Sequence, residues 1–155
     1  MKGGSIFYPN LDVNNATLLF PVKVGVLSAN AKDQIVPRGK SSTVSIDLTN
    51  NGPKTVLFRF TTTGTGRYGF EVKNGTVPAR SKLNVKVQMM LPDSRLLSEI
   101  KADTIYVECI AVDKPEMVDH TADWFWCRVP QTICHKMRLR VTAKVGLATP
   151  GLLAL

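Results

Sequence analysis

The side chains of this sequence best suited to covalent or metal chemistry are few: His120, His135, Cys109, Cys127 and Cys134. A cysteine nucleophile needs a base or cation within hydrogen-bond reach, so a Cys/His pair would have to come from the stretch Cys127 to His135. The order His120, Cys127, Cys134, His135 does not fit the C-x2-C with H-x3-5-H spacing of a structural zinc site. Adjacent residues of a strand also point to opposite faces, which separates Cys134 from His135. Gly39-Lys40-Ser41 resembles the end of a phosphate-binding loop, but that loop needs a glycine five residues earlier, where Gln34 stands, and a helix after it. Strand alternation follows instead, so the segment reads as a turn. The acidic residues are scattered without a close pair suited to hydrolysis. The expectation is a non-enzymatic protein with no cofactor and no metal, whose role is binding or structural.

Two groupings remain that could hold a partner. Asp123-Trp124-Phe125-Trp126-Cys127 is the aromatic cluster of the chain. Trp124 and Trp126 read either as interface anchors or as a capping turn folded over one end of the core, and capping is the preferred reading. The second grouping is Arg138, Arg140 and Lys144, which alternate with Met137, Leu139, Val141, Ala143 and Val145. This makes a strand with a core face and a basic row. On a terminal strand such a row discourages edge pairing, and it can equally attract an acidic partner.

The elements that must position these groups follow period two. Val44, Ile46 and Leu48 alternate with polar residues up to a stop at Asn50-Asn51-Gly52-Pro53, where Asn and Gly tolerate positive φ and Pro cannot donate. Val56, Phe58 and Phe60 resume the pattern, then Tyr68, Phe70 and Val72 after Gly64-Thr65-Gly66. After a turn at Asn74-Gly75, Leu83, Val85, Val87 and Met89 make another strand. Thr104 to Val112 is a further strand, with Ile105, Val107 and Cys109 inward and Tyr106, Glu108 and Ile110 facing a partner or a second apolar layer. Short strands at this spacing predict an all-β antiparallel sandwich or barrel rather than an α/β sheet. One helical turn is expected around Leu96-Leu97.

The resulting layout is an N-terminal arm over 1–21, a β-sandwich over 22–145 and a short apolar tail over 146–155. Ile6, Phe7 and Tyr8 of the arm are able to dock on the domain or a neighbour. A first strand bent at Pro21 suits a sheet edge. At 155 residues the chain can bury an ordinary core without disulfide or metal. Three cysteines cannot all pair, and with no secretory segment they read as thiols of a cytoplasmic protein. The apolar run Thr17–Leu27 is too short and interrupted to span a bilayer. The net charge of +8 is spread along the chain, which favours solvated strand faces over a specific nucleic-acid footprint.

Arg59-Phe60-Thr61-Thr62-Thr63 leading to Arg67-Tyr68, then Asn74-Gly75-Thr76-Val77-Pro78, resembles the major sperm protein (MSP) domain family. Asn50, Phe58, Thr62, Thr63, Tyr68, Gly75 and Pro78 carry the resemblance, and Trp124-Phe125 before the last strand is similar to the sperm-protein branch. The resemblance implies an immunoglobulin-like, MSP/PapD-like sandwich of about seven strands. It also implies one of two roles. MSP proteins form dimers that polymerise, without nucleotide, into the sperm cytoskeleton. The related VAP adaptors instead bind acidic FFAT peptides through a lysine before the Thr-Thr pair and a lysine and methionine on a later strand. Here Thr61, Thr104 and Tyr106 occupy those three positions, while Thr62, Thr63 and Arg67 remain. These substitutions turn the expectation toward self-association or assembly with other MSP-domain proteins, with Thr61, Thr62, Thr63, Arg67, Thr104, Tyr106, Trp124, Trp126, Arg138 and Arg140 as candidate partner-binding residues.

Overall fold

A computed structural model of the chain describes residues 5–23, 25–26, 34–36, 41–91 and 95–146. The turn read at 37–40, the first four residues of the arm and the tail from Leu147 lie outside the described residues. In chain order the elements are β1 (Ile6–Phe7), β2 (Leu11–Val13), β3 (Thr17–Lys23), β4 (Gly25–Val26), β5 (Gln34–Val36), β6 (Ser41–Asn50) and β7 (Thr55–Thr62). They continue with β8 (Tyr68–Phe70), β9 (Asn74–Val77), β10 (Lys82–Met90), β11 (Arg95–Leu96), α1 (Leu97–Lys101) and β12 (Thr104–Val112). A 3-10 turn (Pro115–Met117), α2 (Asp123–Cys127) and β13 (His135–Gly146) complete the chain.

The alternating strands pair into two main sheets, in the orders β3-β13-β12-β7-β9 and β2-β6-β10-β8, with β1 added to β12 and a small β11-β5-β4 sheet beside them. The inward residues of both sheets meet in one apolar core. Ile46 and Leu48 of β6, Val85, Val87 and Met89 of β10, Val56, Phe58 and Phe60 of β7 and Ile105 and Val107 of β12 are all buried there. This is a β-sandwich, one of the two architectures that the alternation allows, and of the immunoglobulin-like kind that the resemblance implies. Residues 5–21, read as an arm, contribute to both layers: Ile6 and Phe7 pair with Val112 and Ala111, and Leu11 to Val13 pair with β6.

Two local expectations are corrected. β13 is not an edge, because β12 flanks it antiparallel and β3 flanks it parallel, so its basic row is not an edge-protection device. The edge is β3, where Pro21 lies. Asn74-Gly75 opens strand β9 along β7 instead of making a turn. A Cβ on Gly75 would lie 2.8 Å from Val72 and 2.9 Å from the Phe58 ring, so glycine is needed here to let the backbone approach an aromatic side chain closely. Leu57, which points away from the main core, is nevertheless fully buried, in a second apolar layer with Ile110 and Val112. The predicted stop after β6 does form. Asn50 is buried, its amide donates to the carbonyls of Lys54 (2.7 Å) and Val77 (3.0 Å), and its Oδ1 accepts from Gly52 N–H (3.0 Å).

A candidate partner-binding face

The outer face of the larger sheet collects the sequence-predicted residues because period two puts alternate positions of β7, β12 and β13 on one side. Register places Thr61, Tyr106 and Arg138 in one cross-strand row, and Thr104 opposite Arg140 in the next. Glu108 is flanked by Arg59 and Lys136 on the other side of the Tyr106 row. Arg59 Nε donates to Glu108 Oε1 at 3.0 Å, and the Lys136 ammonium lies 4.5 Å from the Tyr106 ring centroid. Arg138 and Arg140 are exposed.

Thr62, Thr63 and Arg67 hold the loop through hydrogen bonds, with Thr63 also exposed. Thr62 Oγ1 donates to the Thr104 carbonyl (3.0 Å) and accepts from Gly64 N–H (3.0 Å), while Thr63 Oγ1 accepts from Thr104 N–H (2.9 Å). Arg67 is engaged in a fork: Nε donates to Asp103 Oδ2 at 2.8 Å and Nη2 to Oδ1 at 2.5 Å, while Tyr68 OH donates to Oδ2 at 2.6 Å. Asp103 is 5% exposed. Its hydrogen bond raises the pKa of Arg67 further. Burial, and then the bond to Asp103, pushes the Tyr68 hydroxyl far above its ordinary value. Gly64 closes over this knot, where a Cβ would come within 2.7 Å of both Asp103 and Tyr68. The sequence reading missed Asp103, since nothing local ties it to an arginine 36 residues away.

Trp124 and Trp126 part company on α2. Trp126 is 4% exposed, packs with Leu57, Ile110, Val112, Val129 and Cys134, and donates from Nε1 to the His120 carbonyl at 2.7 Å. Trp126 thus covers the outer face of the sheet and not one end of the main core, and Trp124 takes no part in that cover. Trp124 is 53% exposed, with the Arg128 guanidinium 5.3 Å from its ring. Of the cysteines, Cys127 is exposed, while burial pushes the Cys109 and Cys134 thiols up in pKa. Among the described residues no cluster of His, Cys, Asp or Glu is arranged to hold a metal, and no helix is long and apolar enough to cross a membrane.

The family profile of the MSP (major sperm protein) domain matches residues 26–129. No curated protein matches the chain in sequence. Among solved structures, WR4, a C. elegans MSP family member, superposes with a TM-score of 0.58 at 14% identity, covering 88% of this chain and 100% of that one. The ASH/PapD-like domain 7 of human CEP192 gives 0.57 at 13% identity, covering 91% and 88%. At such identities the likeness is one of fold.

Proposed function

The chain belongs to the major sperm protein domain family, and from that premise we propose that it is a non-enzymatic structural module that associates with itself or with other MSP-domain proteins. Its setting on this reading is cytoplasmic, in a sperm cytoskeleton. Trp124 carries the proposal: a large aromatic side chain more than half exposed, on a helix fixed to the sheet by the buried Trp126. Rigid, exposed aromatic side chains supply much of the energy of protein interfaces at little entropic cost. Light scattering across a concentration series tests this. Association is expected to strengthen with concentration and to be lost in Trp124→Ala without a change in melting temperature. A monomer at every concentration, alone and with an MSP-domain partner, would sink it.

The acidic-peptide adaptor ranks second. Thr61, Thr104 and Tyr106 bring no charge to the seam between β7 and β12, and Arg67 is spent on Asp103. Complementary charge governs encounter rate and specificity, so binding to an FFAT-type peptide is expected to be weak or undetectable by calorimetry. Low-micromolar affinity for such a peptide would reverse this order.

A further inference from the structure

Along one side of the sandwich the two main sheets leave a gap. There β7 of the larger sheet and β8 of the smaller line an open groove of ≈ 450 Å³, with Phe60, Thr62, Tyr68, Phe70 and Lys73 in its walls. Register shows which backbone groups face it. At the two ends of β8, the Arg67 carbonyl accepts from Met90 N–H at 2.6 Å and Glu71 N–H donates to the Lys86 carbonyl at 2.9 Å. Alternate residues of an antiparallel strand turn their N–H and C=O to opposite sides. Those of Tyr68 and Phe70 therefore point away from β10 and toward the groove. On the other wall, Phe60 N–H donates to the Lys73 carbonyl at 2.9 Å, and β9 follows β7 no further. Thr62, two residues on, turns its N–H and C=O to the same side with no strand opposite. Among the described residues, the main-chain groups of Thr62, Tyr68 and Phe70 on this side have no partner.

Free backbone groups at a sheet edge are a template for a further strand. Tyr68-Gly69-Phe70 has neither the proline nor the lysine that discourages such pairing, whereas the edge strand β3 carries Pro21. The floor of the groove is aromatic: half-buried Phe70 stacks on buried Phe60 with ring centroids 4.8 Å apart. Beyond Phe70, Lys73 is exposed, and among the described residues no carboxylate pairs with it. The neighbouring acid, Glu71, accepts the Lys86 N–H at 3.3 Å.

We propose that this edge takes an extended peptide segment of another protein, added antiparallel to β8. Its alternate apolar side chains lie on the Phe60–Phe70 floor, and an acidic residue about three positions N-terminal to the first of them meets Lys73. The free N–H and C=O groups call for a main chain, the aromatic floor for apolar side chains and the unpaired lysine for a carboxylate. In strand addition of this kind main-chain hydrogen bonds give affinity and alternate side chains give selectivity. A second copy of this chain offers no free carboxylate at the same edge, since Glu71 is engaged. The site lies on the opposite edge of β7 from its seam with β12, and it is independent of Trp124 and of self-association.

Amide hydrogen exchange of the full chain with the probe peptide acetyl-Asp-Ser-Thr-Val-Thr-Val-Thr-amide tests the proposal. In the free chain the Tyr68 and Phe70 amides are expected to exchange fast and the Gly69 amide, paired with Gln88, slowly. Millimolar peptide should slow Tyr68 and Phe70. The same peptide N-methylated at both valines keeps its side chains but loses the donors that face β8, and it should not bind. Lys73→Ala should weaken binding about two- to fivefold, as loss of an exposed ion pair does, and Trp124→Ala should leave it intact. Unchanged exchange at Tyr68 and Phe70 with peptide, or equal binding of the methylated peptide, would overturn the proposal. Slow exchange of these amides in the free chain, deepening with protein concentration, would assign the edge to a second copy and overturn it too. Unchanged affinity in Lys73→Ala would overturn the place given to the acidic residue.

Discussion

The outer face of the larger sheet has two halves built from the same strands and held by different physics. Toward the Val112 end of β12 the outward residues Leu57, Ile110 and Val112 are apolar, and the excursion that carries α2 covers them with Trp126. Toward the Thr104 end the outward residues are Thr61, Thr104, Tyr106, Arg138 and Arg140; Thr104 is buried, Thr61 and Tyr106 are half-buried, and the exposed arginines leave this half open. Its rim is fixed by the buried knot of Arg67, Tyr68 and Asp103. Period-two alternation gives every strand an outward row, and the polarity of that row decides whether the chain must spend a segment covering it. The covered half rests on buried area, which salt and pH hardly affect. The rim of the open half rests on hydrogen bonds among Arg67, Tyr68 and Asp103, and alkaline pH reaches them through the Tyr68 hydroxyl.

The contrast is tested most severely at the cap. Trp126→Ala is expected to cost about 3–5 kcal/mol, as much as Phe58→Ala in the main core, because both leave a cavity among apolar residues. A denaturation midpoint for Trp126→Ala near that of the unmodified chain would show that the second layer contributes little. Asp103→Ala should come next, at about 2–3 kcal/mol. Removing one partner of a buried ion pair strands the other, and the loss is softened because Arg67 retains some access to water. Urea titration at neutral pH measures it, and an unchanged midpoint would reduce the knot to ornament.

Tyr68→Phe should cost less, about 1–2 kcal/mol for a hydrogen bond to a charged group, and it also alters the pH response. The folded Tyr68 hydroxyl keeps its proton well above the ordinary value. The unfolded tyrosine ionises near pH 10, so this contribution is complete below about pH 10 and is lost as pH rises beyond it. Melting curves between neutral and strongly alkaline pH should therefore fall more steeply for the unmodified chain than for Tyr68→Phe, and parallel curves would contradict the assignment. Smallest are the exposed residues of the two halves. Trp124→Ala and Arg138→Ala should each stay within about 0.5 kcal/mol, as surface substitutions usually do. A loss above that range for Trp124 would mean that it supports the cap.

The main core could be read in the residues. Val44, Ile46 and Leu48, then Val56, Phe58 and Phe60, then Val85, Val87 and Met89, keep the strand period without interruption, and each set folds inward. The stop at Asn50 was equally legible, because its turn chemistry acts within a few residues. Alternation says only that Leu57 and Ile110 face away from the core, and their burial depends on a helix more than ten residues beyond β12. Trp124 and Trp126 are alike in composition and differ by one being anchored, which only packing distinguishes. The sequence by itself therefore determined the sandwich, the family and the inward faces, since these follow from local period and motif. Tertiary structure alone decided that β13 lies between β12 and β3, that Arg67 is bound to Asp103, and which half of the outer face is open. Those outcomes depend on strand order and on partners distant in the chain, which no local pattern encodes.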